Sequence, residues 1–207
     1  MPTAPIITKV DRMDTELSTI DGKRKYLTLE EQQRFLVATN QLDRAEVRTF
    51  CDTLAYTGCR ISEALALTPE RIDLSARAIT FQTLKQRGKV RYRSVPIPDQ
   101  HLEALLLVHN IRKAQKSKSV ATKTAKLWDF KRAMASRHVA SVMAAADIEG
   151  VQACPKGLRH GFGVRMAQKT RNPRLVQKLM GHMKMENTAI YMDLVGEEAR
   201  AEVMAAW

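Results

Sequence analysis

The chain has 207 residues, of which 44% are hydrophobic, enough to bury a core and too many for a disordered segment. Its 34 Lys and Arg against 22 Asp and Glu leave a formal charge of +12, which points to a polyanionic partner, either nucleic acid or an anionic membrane surface. No apolar run reaches the length of a membrane span and the first residues do not read as a secretory signal, so nucleic acid is the better partner.

Residues 1–26 carry Pro2, Pro5 and mixed charges with weak periodicity, which reads as an extended arm. Thr28-Leu29-Glu30-Glu31 matches a capping box and predicts a helix from there to about Asn40. Val47, Phe50, Cys51 and Leu54 recur at helical spacing, and Gly58 is a natural stop. A short helix begins at Arg60 with Ile61, Leu65 and Leu67 on its apolar side, and Thr68-Pro69 starts a turn. Ala78–Thr83 and Val90–Ile97 are rich in β-branched and aromatic residues, and the polar Lys85–Lys89 stretch between them predicts a hairpin turn.

Pro98-Asp99 opens a helix expected to carry Leu102, Leu105, Leu106 and Ile111. Arg112–Lys126 holds six basic residues and no acid; it reads equally as a solvated linker or as a phosphate contact. Ala133–Ile148 predicts a buried helix, and Leu158–Gln168 another despite Gly161 and Gly163. Asn172-Pro173 is a cap and first-turn pair for a helix ending at Gly181. A short helix then holds Tyr191, and Glu197–Trp207 forms an amphipathic tail whose apolar stripe fits a neighbouring protomer or its own domain. The sum is an α+β chain, mainly helical, with one small antiparallel hairpin or sheet.

The three cysteines, Cys51, Cys59 and Cys154, are odd in number and widely spaced, which predicts free thiols acting as small buried hydrophobes. The five histidines have no spacing with cysteine that would make a zinc site, so neither a structural metal nor a cofactor is expected.

The chemistry-bearing residues, in chain order, are Arg60, Lys85, Lys156, Arg159, His182 and Tyr191. Arginine presents a planar fork matched to phosphate oxygens and keeps its charge at any working pH. Two such forks on one phosphate would offset the charge of a pentavalent transition state. Arg60 follows Gly58, and Arg159 lies in a glycine-bounded segment where backbone can approach a ligand closely. Taken singly, each residue also has a structural reading: Tyr191 as a packed ring, His182 as a helix C-terminal cation, Glu63 as an orienting partner of Arg60 or a solvated acid. His160 reads as structural, buried beside Arg159 and bonded to backbone.

Thr57-Gly58-Cys59-Arg60-Ile61-Ser62-Glu63-Ala64-Leu65 resembles the first arginine box of the tyrosine recombinases, the phage-integrase family. Leu158-Arg159-His160-Gly161 resembles the second, and Leu179-Met180-Gly181-His182 followed by Tyr191 resembles the terminal box. The resemblance spans about residues 28–195, with the boxes in the family's order. It implies a tyrosine recombinase catalytic domain over 27–195, flanked by the arm, 1–26, and the tail helix, 196–207.

By that resemblance Tyr191 attacks the scissile phosphate of double-stranded DNA and becomes joined to the 3′ end. Arg60 and Arg159 grip the nonbridging oxygens, His182 adds a hydrogen bond, and Lys85 protonates the departing 5′ oxygen. Arg87 and Lys89 are near rivals to Lys85. Lys156 stands where the family has His or Lys, as a base if neutral or a charge stabiliser if protonated. The implied activity is site-specific recombination needing no cofactor, by a homotetramer on paired sites in the cytoplasm at the nucleoid. A type IB topoisomerase-like nicking enzyme and a non-catalytic DNA-binding regulator are the alternatives. Only about 27 residues precede the capped helix, too few for the separate core-binding domain of most members. A compact recombinase relying on cooperative assembly or an accessory DNA-binding protein is therefore expected, unless the chain is a truncated piece.

Overall fold

A computed structural model describes residues 17–86, 89–193 and 204, with the side chains of 83–90 outside the description. Most of the expected arm and all but one residue of the expected tail thus lie outside the described residues. The described part of the arm, 17–26, turns back on itself instead of extending: Ser18 bridges Arg24, and Leu17 is buried. Arg24 pins it to the first helix by two hydrogen bonds to the Glu31 carboxylate.

Helix α1 (Leu29–Asn40) starts as its capping residues dictate. Thr28 Oγ1 accepts from Glu31 N at 3.2 Å and Glu31 Oε2 accepts from Thr28 N at 2.9 Å, so two otherwise orphaned donors are satisfied. Helix α2 (Ala45–Thr57) ends at Gly58, whose φ of 57° is the left-handed conformation that glycine adopts without strain. A Cβ at Gly58 would also meet the Phe162 ring at 2.4 Å, so the stop doubles as a packing site. The one-turn helix α3 (Ile61–Ala64) follows, and a 3-10 turn (Pro69–Arg71) leads into the sheet.

Strands β1 (Ile72–Asp73), β2 (Ala78–Gln86) and β3 (Lys89–Pro96) form an antiparallel sheet in the order β1-β2-β3. Ile79 pairs with Val95 and Phe81 with Arg93, and these four face the interior while Gln82 and Tyr92 face out. The hairpin differs from the expected one: its strands run on to Gln86 and Lys89, with a register shift between Thr83 and Gln86, so Lys85 lies in strand β2 instead of the turn. Strand β1 was not signalled, since two residues carry no readable alternation.

Helix α4 (Asp99–Val108) stops short of Ile111. Asn110 has φ 50°, and this left-handed residue starts a separate helix, α5 (Ile111–Lys116), with Ile111 fully buried at its head. The basic stretch holds α5 and α6 (Val120–Thr124), tied to the sheet by Gln115 Nε2, which donates to Pro69 O at 2.7 Å and Ile72 O at 2.8 Å. Helix α7 (Arg132–Ala145), expected as a buried helix over 133–148, buries one stripe, Ala135, Val139, Val142 and Met143, and exposes Met134, so it is amphipathic. Helix α8 (Pro155–Thr170) runs through the core beneath α1 and α2, with nine of its residues buried. Helix α9 (Pro173–Met180) is capped by Asn172 Oδ1, which accepts from Leu175 N at 3.1 Å, and stops at Gly181 with φ 66°. Residues 186–193 are helical and carry Tyr191.

Candidate active site

Four elements meet at one cleft of about 630 Å³: the α2–α3 junction, α7, the start of α8, and the 182–191 segment. Arg60, Lys156, Arg159, His182 and Tyr191 line it, with Arg132, Ser136, His160 and Asn187. The fold brings five of the six expected site residues together across more than a hundred positions of chain. Lys85 lies in β2 by its backbone, and its side chain is outside the described residues.

Arg159 is fixed from two sides. It donates to Gly58 O and to Met180 O, each at 2.6 Å, and so is clamped between the C-terminal ends of α2 and α9. Helix C-termini concentrate unpaired carbonyls, and a guanidinium is well matched to them. Burial, then the nearby Arg60 cation, pulls the Arg159 guanidinium down to about 10, with Glu63 opposing; it remains charged at neutral pH. The glycines around Arg159 do not open room for a ligand as expected. A Cβ at Gly157 would meet Gln152 O at 1.9 Å, and one at Gly161 would meet Leu27 O at 2.9 Å, so the space they leave is filled by protein backbone.

Arg60 is the more accessible fork, with a side chain 39% exposed. It sits at the N-cap of α3, where Glu63 Oε2 accepts from its backbone N–H at 2.8 Å and Glu63 Oε1 accepts from its guanidinium at 3.2 Å. Glu63 is thus an orienting partner and not a solvated acid. Arg93, which carried no sequence signal beyond its place in a strand, completes the arrangement. It donates to both Glu63 oxygens at 2.9 and 2.7 Å and to Leu179 O at 2.9 Å. Burial works to raise the Glu63 carboxyl, and the Arg93 hydrogen bonds and charge outweigh it, holding the group below the usual range.

His182 lies 3.1 Å by Nδ1 from Thr188 Oγ1, and its ring stacks on Tyr191 at 6.0 Å with the planes 12° apart. Burial, then Arg159 and Arg60, lowers its imidazole to about 3. It is therefore neutral and is not the helix-end cation that its position after Gly181 allowed. Tyr191 is 1% exposed and packs its ring over Gly163, where a Cβ would stand 2.6 Å from the ring. Burial raises its phenol to about 12 against the pull of Arg159 and Arg60.

His160 was expected to bond to backbone. Its Nδ1 instead lies 2.9 Å from the Tyr191 hydroxyl, because α8 turns residue 160 towards the helix that carries the tyrosine. Cys51 and Cys59 are buried, with thiols raised by burial, and Cys154 is half-buried at the cleft. Among the described residues no three His, Cys, Asp or Glu side chains are grouped to hold a metal. No helix among them is long and apolar enough to cross a membrane.

Residues 25–198 match the phage integrase family. The chain is 28% identical over 204 residues to tyrosine recombinase XerD of Bradyrhizobium diazoefficiens, covering 88% of this chain and 63% of that protein. It is 31% identical over 197 residues to XerD of Mycobacterium leprae, covering 89% and 61%. It thus spans about three fifths of the length of these two relatives. Among solved structures it resembles the XerH site-specific recombinase bound to difH substrate (TM-score 0.66, 23% identity, 84% of this chain and 52% of that one). It also resembles the catalytic domain of bacteriophage HP1 integrase (TM-score 0.54, 23% identity, 80% and 85%). With the match covering most of its length, and its arginines, histidine and tyrosine gathered in one cleft, the chain belongs to the phage integrase family.

Proposed function

We propose that the protein is a site-specific DNA recombinase that cleaves and rejoins double-stranded DNA through a 3′-phosphotyrosyl intermediate. The observation that carries this is the meeting of Arg60, Arg159, His182 and Tyr191 in one cleft whose described lining includes no carboxylate. Such a cleft suits a phosphodiester and repels no part of it. Arg159, with two donors fixed by carbonyls, offers its remaining edge as a rigid clamp, and Arg60 reaches in from the more open side. Both would stabilise the charge that grows on the nonbridging oxygens. Neutral His182 would add a hydrogen bond without competing for a proton. Lys85 on β2 would protonate the leaving 5′ oxygen, and the exposed Lys156 at the mouth would stabilise charge.

A second cleft of about 280 Å³ beside His182, lined by Arg91, Arg93, Arg174 and Lys178, extends the basic surface and suits the flanking phosphates. The relatives named as recombinases, and the DNA complex of XerH, support the same reading. Action on paired sites fits a homotetramer, with an accessory DNA-binding protein as a further partner, at the cytoplasmic nucleoid. Energy kept in the protein–DNA ester removes any need for a nucleotide cofactor.

The test uses plasmids bearing two copies of a cleavage site, recovered as covalent adducts from a pool of nicked duplexes of randomised sequence. The reaction is run in EDTA. Exchange between the two sites is expected. Relaxation of a one-site plasmid without exchange would mark a topoisomerase-like enzyme, and specific binding without any adduct would mark a regulator.

A further inference from the structure

The proton of the Tyr191 hydroxyl must go somewhere when the oxygen attacks phosphorus, because a phenol raised to about 12 is protonated at any working pH. Among the described lining of the cleft there is no Asp or Glu to take it. His182 stacks on the tyrosine ring with the planes 12° apart, and its Nδ1 is engaged with Thr188 and not with the tyrosine hydroxyl. His160 differs on each count. Its ring is tilted 43° to that of Tyr191, and its Nδ1 stands 2.9 Å from the hydroxyl oxygen. Its Nε2 is buried with no hydrogen-bond partner among the described residues. In a neutral imidazole only one nitrogen carries the proton; placing it on Nε2 turns the Nδ1 lone pair towards the phenol.

We infer that His160 is a further catalytic residue, which accepts the phenolic proton of Tyr191 as the hydroxyl attacks and returns it when the tyrosine departs. This rests on the recombinase reading. In the forward step the bond from Tyr191 Oη to phosphorus forms, the O–H bond breaks and its proton passes to His160 Nδ1. The bond from phosphorus to the 5′ oxygen breaks, and that oxygen takes a proton from the general acid, the role assigned to Lys85. Rejoining reverses each transfer: the 5′ hydroxyl attacks, and the imidazolium protonates the leaving tyrosine. One residue thus serves both directions, as reversibility requires.

The environment sets the timing. Burial, then the Lys156, Arg159 and Lys25 cations, lowers the His160 imidazole to about 4. So weak a base does not hold a phenolate in the resting protein. It takes the proton only once the oxygen's electrons are committed to phosphorus, when the phenolic proton becomes strongly acidic. An entering phosphodiester also brings negative charge against the cations that oppose protonation. Arg60, which faces Tyr191 with Arg159, favours the developing tyrosyl anion.

The test is single-turnover cleavage at saturating DNA, using a nicked duplex recovered as an adduct of the unaltered chain from a randomised pool. Asn places an amide oxygen near the Nδ1 position, so His160→Asn keeps an acceptor but cannot carry the proton. It is expected to bind this duplex normally and to cleave it about 10²-fold or more slowly, the usual worth of a general base. A duplex with sulfur in place of the bridging 5′ oxygen needs no acid for its leaving group. It should fail to rescue His160→Asn while rescuing Lys85→Ala. Cleavage by His160→Asn at the unaltered rate, or its rescue by sulfur, overturns the inference and leaves the recombinase reading standing. No adduct from the unaltered chain overturns both. Should His160→Asn fail to fold, nitrogen-15 NMR of the histidines in the unaltered chain decides instead. A proton on Nε2, and a shift of that ring in Tyr191→Phe, support the inference; a proton on Nδ1 overturns it.

Discussion

Arg93 holds both carboxylate oxygens of Glu63, at 2.9 and 2.7 Å, in a pair whose side chains are 3% and 2% exposed. The same carboxylate touches Arg60 at 3.2 Å. Two cations around one anion leave a net positive charge, and because Arg93 supplies the bidentate partner, the charge of Arg60 is only partly offset by Glu63. Arg93→Met would leave Glu63 buried with Arg60 alone, which costs about 3–5 kcal/mol when a buried pair is broken. Urea unfolding of Arg93→Met should show that loss, and the double variant with Glu63→Gln should recover part of it. A double variant no more stable than the single one would show that the uncompensated charge is not the cause.

Gly163→Ala should destabilise, although alanine is the better helix former by about 1 kcal/mol. The added Cβ would stand 2.6–2.9 Å from the Tyr191 ring, so the buried ring must move, at a cost of about 1–3 kcal/mol for overpacking. In a Tyr191→Ala background the same change should become stabilising, because the obstacle is gone. Thermal unfolding of the four proteins checks the reversal of sign; a destabilisation that survives in both backgrounds would contradict it.

Arg159→Ala should lower cleavage at saturating DNA far more than it lowers affinity. The loss in the barrier should be about 3–4 kcal/mol, the worth of a donor acting on transition-state charge. Filter binding beside single-turnover cleavage separates the two. A defect confined to binding would make Arg159 an ordinary phosphate anchor.

Acid should weaken the fold through its buried neutral histidines. His101 is 2% exposed, and burial, then Arg48 and His109, lowers its imidazole to about 3. The unfolded chain takes up this proton near pH 6.5 and the folded chain does not. The stability His101 contributes is therefore complete above that pH and is lost as pH falls from 6.5 towards 3. By pH 5 the loss is about 2 kcal/mol. Asp52, raised to about 6 by burial, works the other way, since its folded form takes a proton first as pH falls below 6. Urea unfolding at pH 7 and pH 5 should show the net loss, and His101→Gln should show a shallower one; parallel losses in both proteins would contradict the assignment.

The helix ends were legible because they are written locally. Thr28 with Glu31, Gly58, Asn172-Pro173 and Gly181 each act within a few residues of their own position. Asn110 was not legible, since a left-handed asparagine looks like any polar residue on a helix face. The arginine, histidine and tyrosine of the cleft could be read from their flanking boxes, but what fixes them could not. Arg93 reaches Glu63, and Arg159 reaches Gly58 and Met180, by contacts between distant segments that no local pattern announces. The contact of His160 was not legible for the same reason. Its neighbour Arg159 suggested a structural role, and only the packing of α8 against the 186–193 helix puts its nitrogen at the tyrosine hydroxyl.

The proposed reaction stands on Tyr191 Oη as the nucleophile that attacks the DNA phosphate. Mass spectrometry of the adduct trapped on a nicked duplex, after digestion of protein and DNA, tests this most directly. A 3′-linked nucleotide is expected on the peptide containing Tyr191, and no adduct from Tyr191→Phe at DNA concentrations that saturate binding. An adduct mapped to Tyr26, Tyr56, Tyr92 or any other residue, or one that persists in Tyr191→Phe, would contradict it.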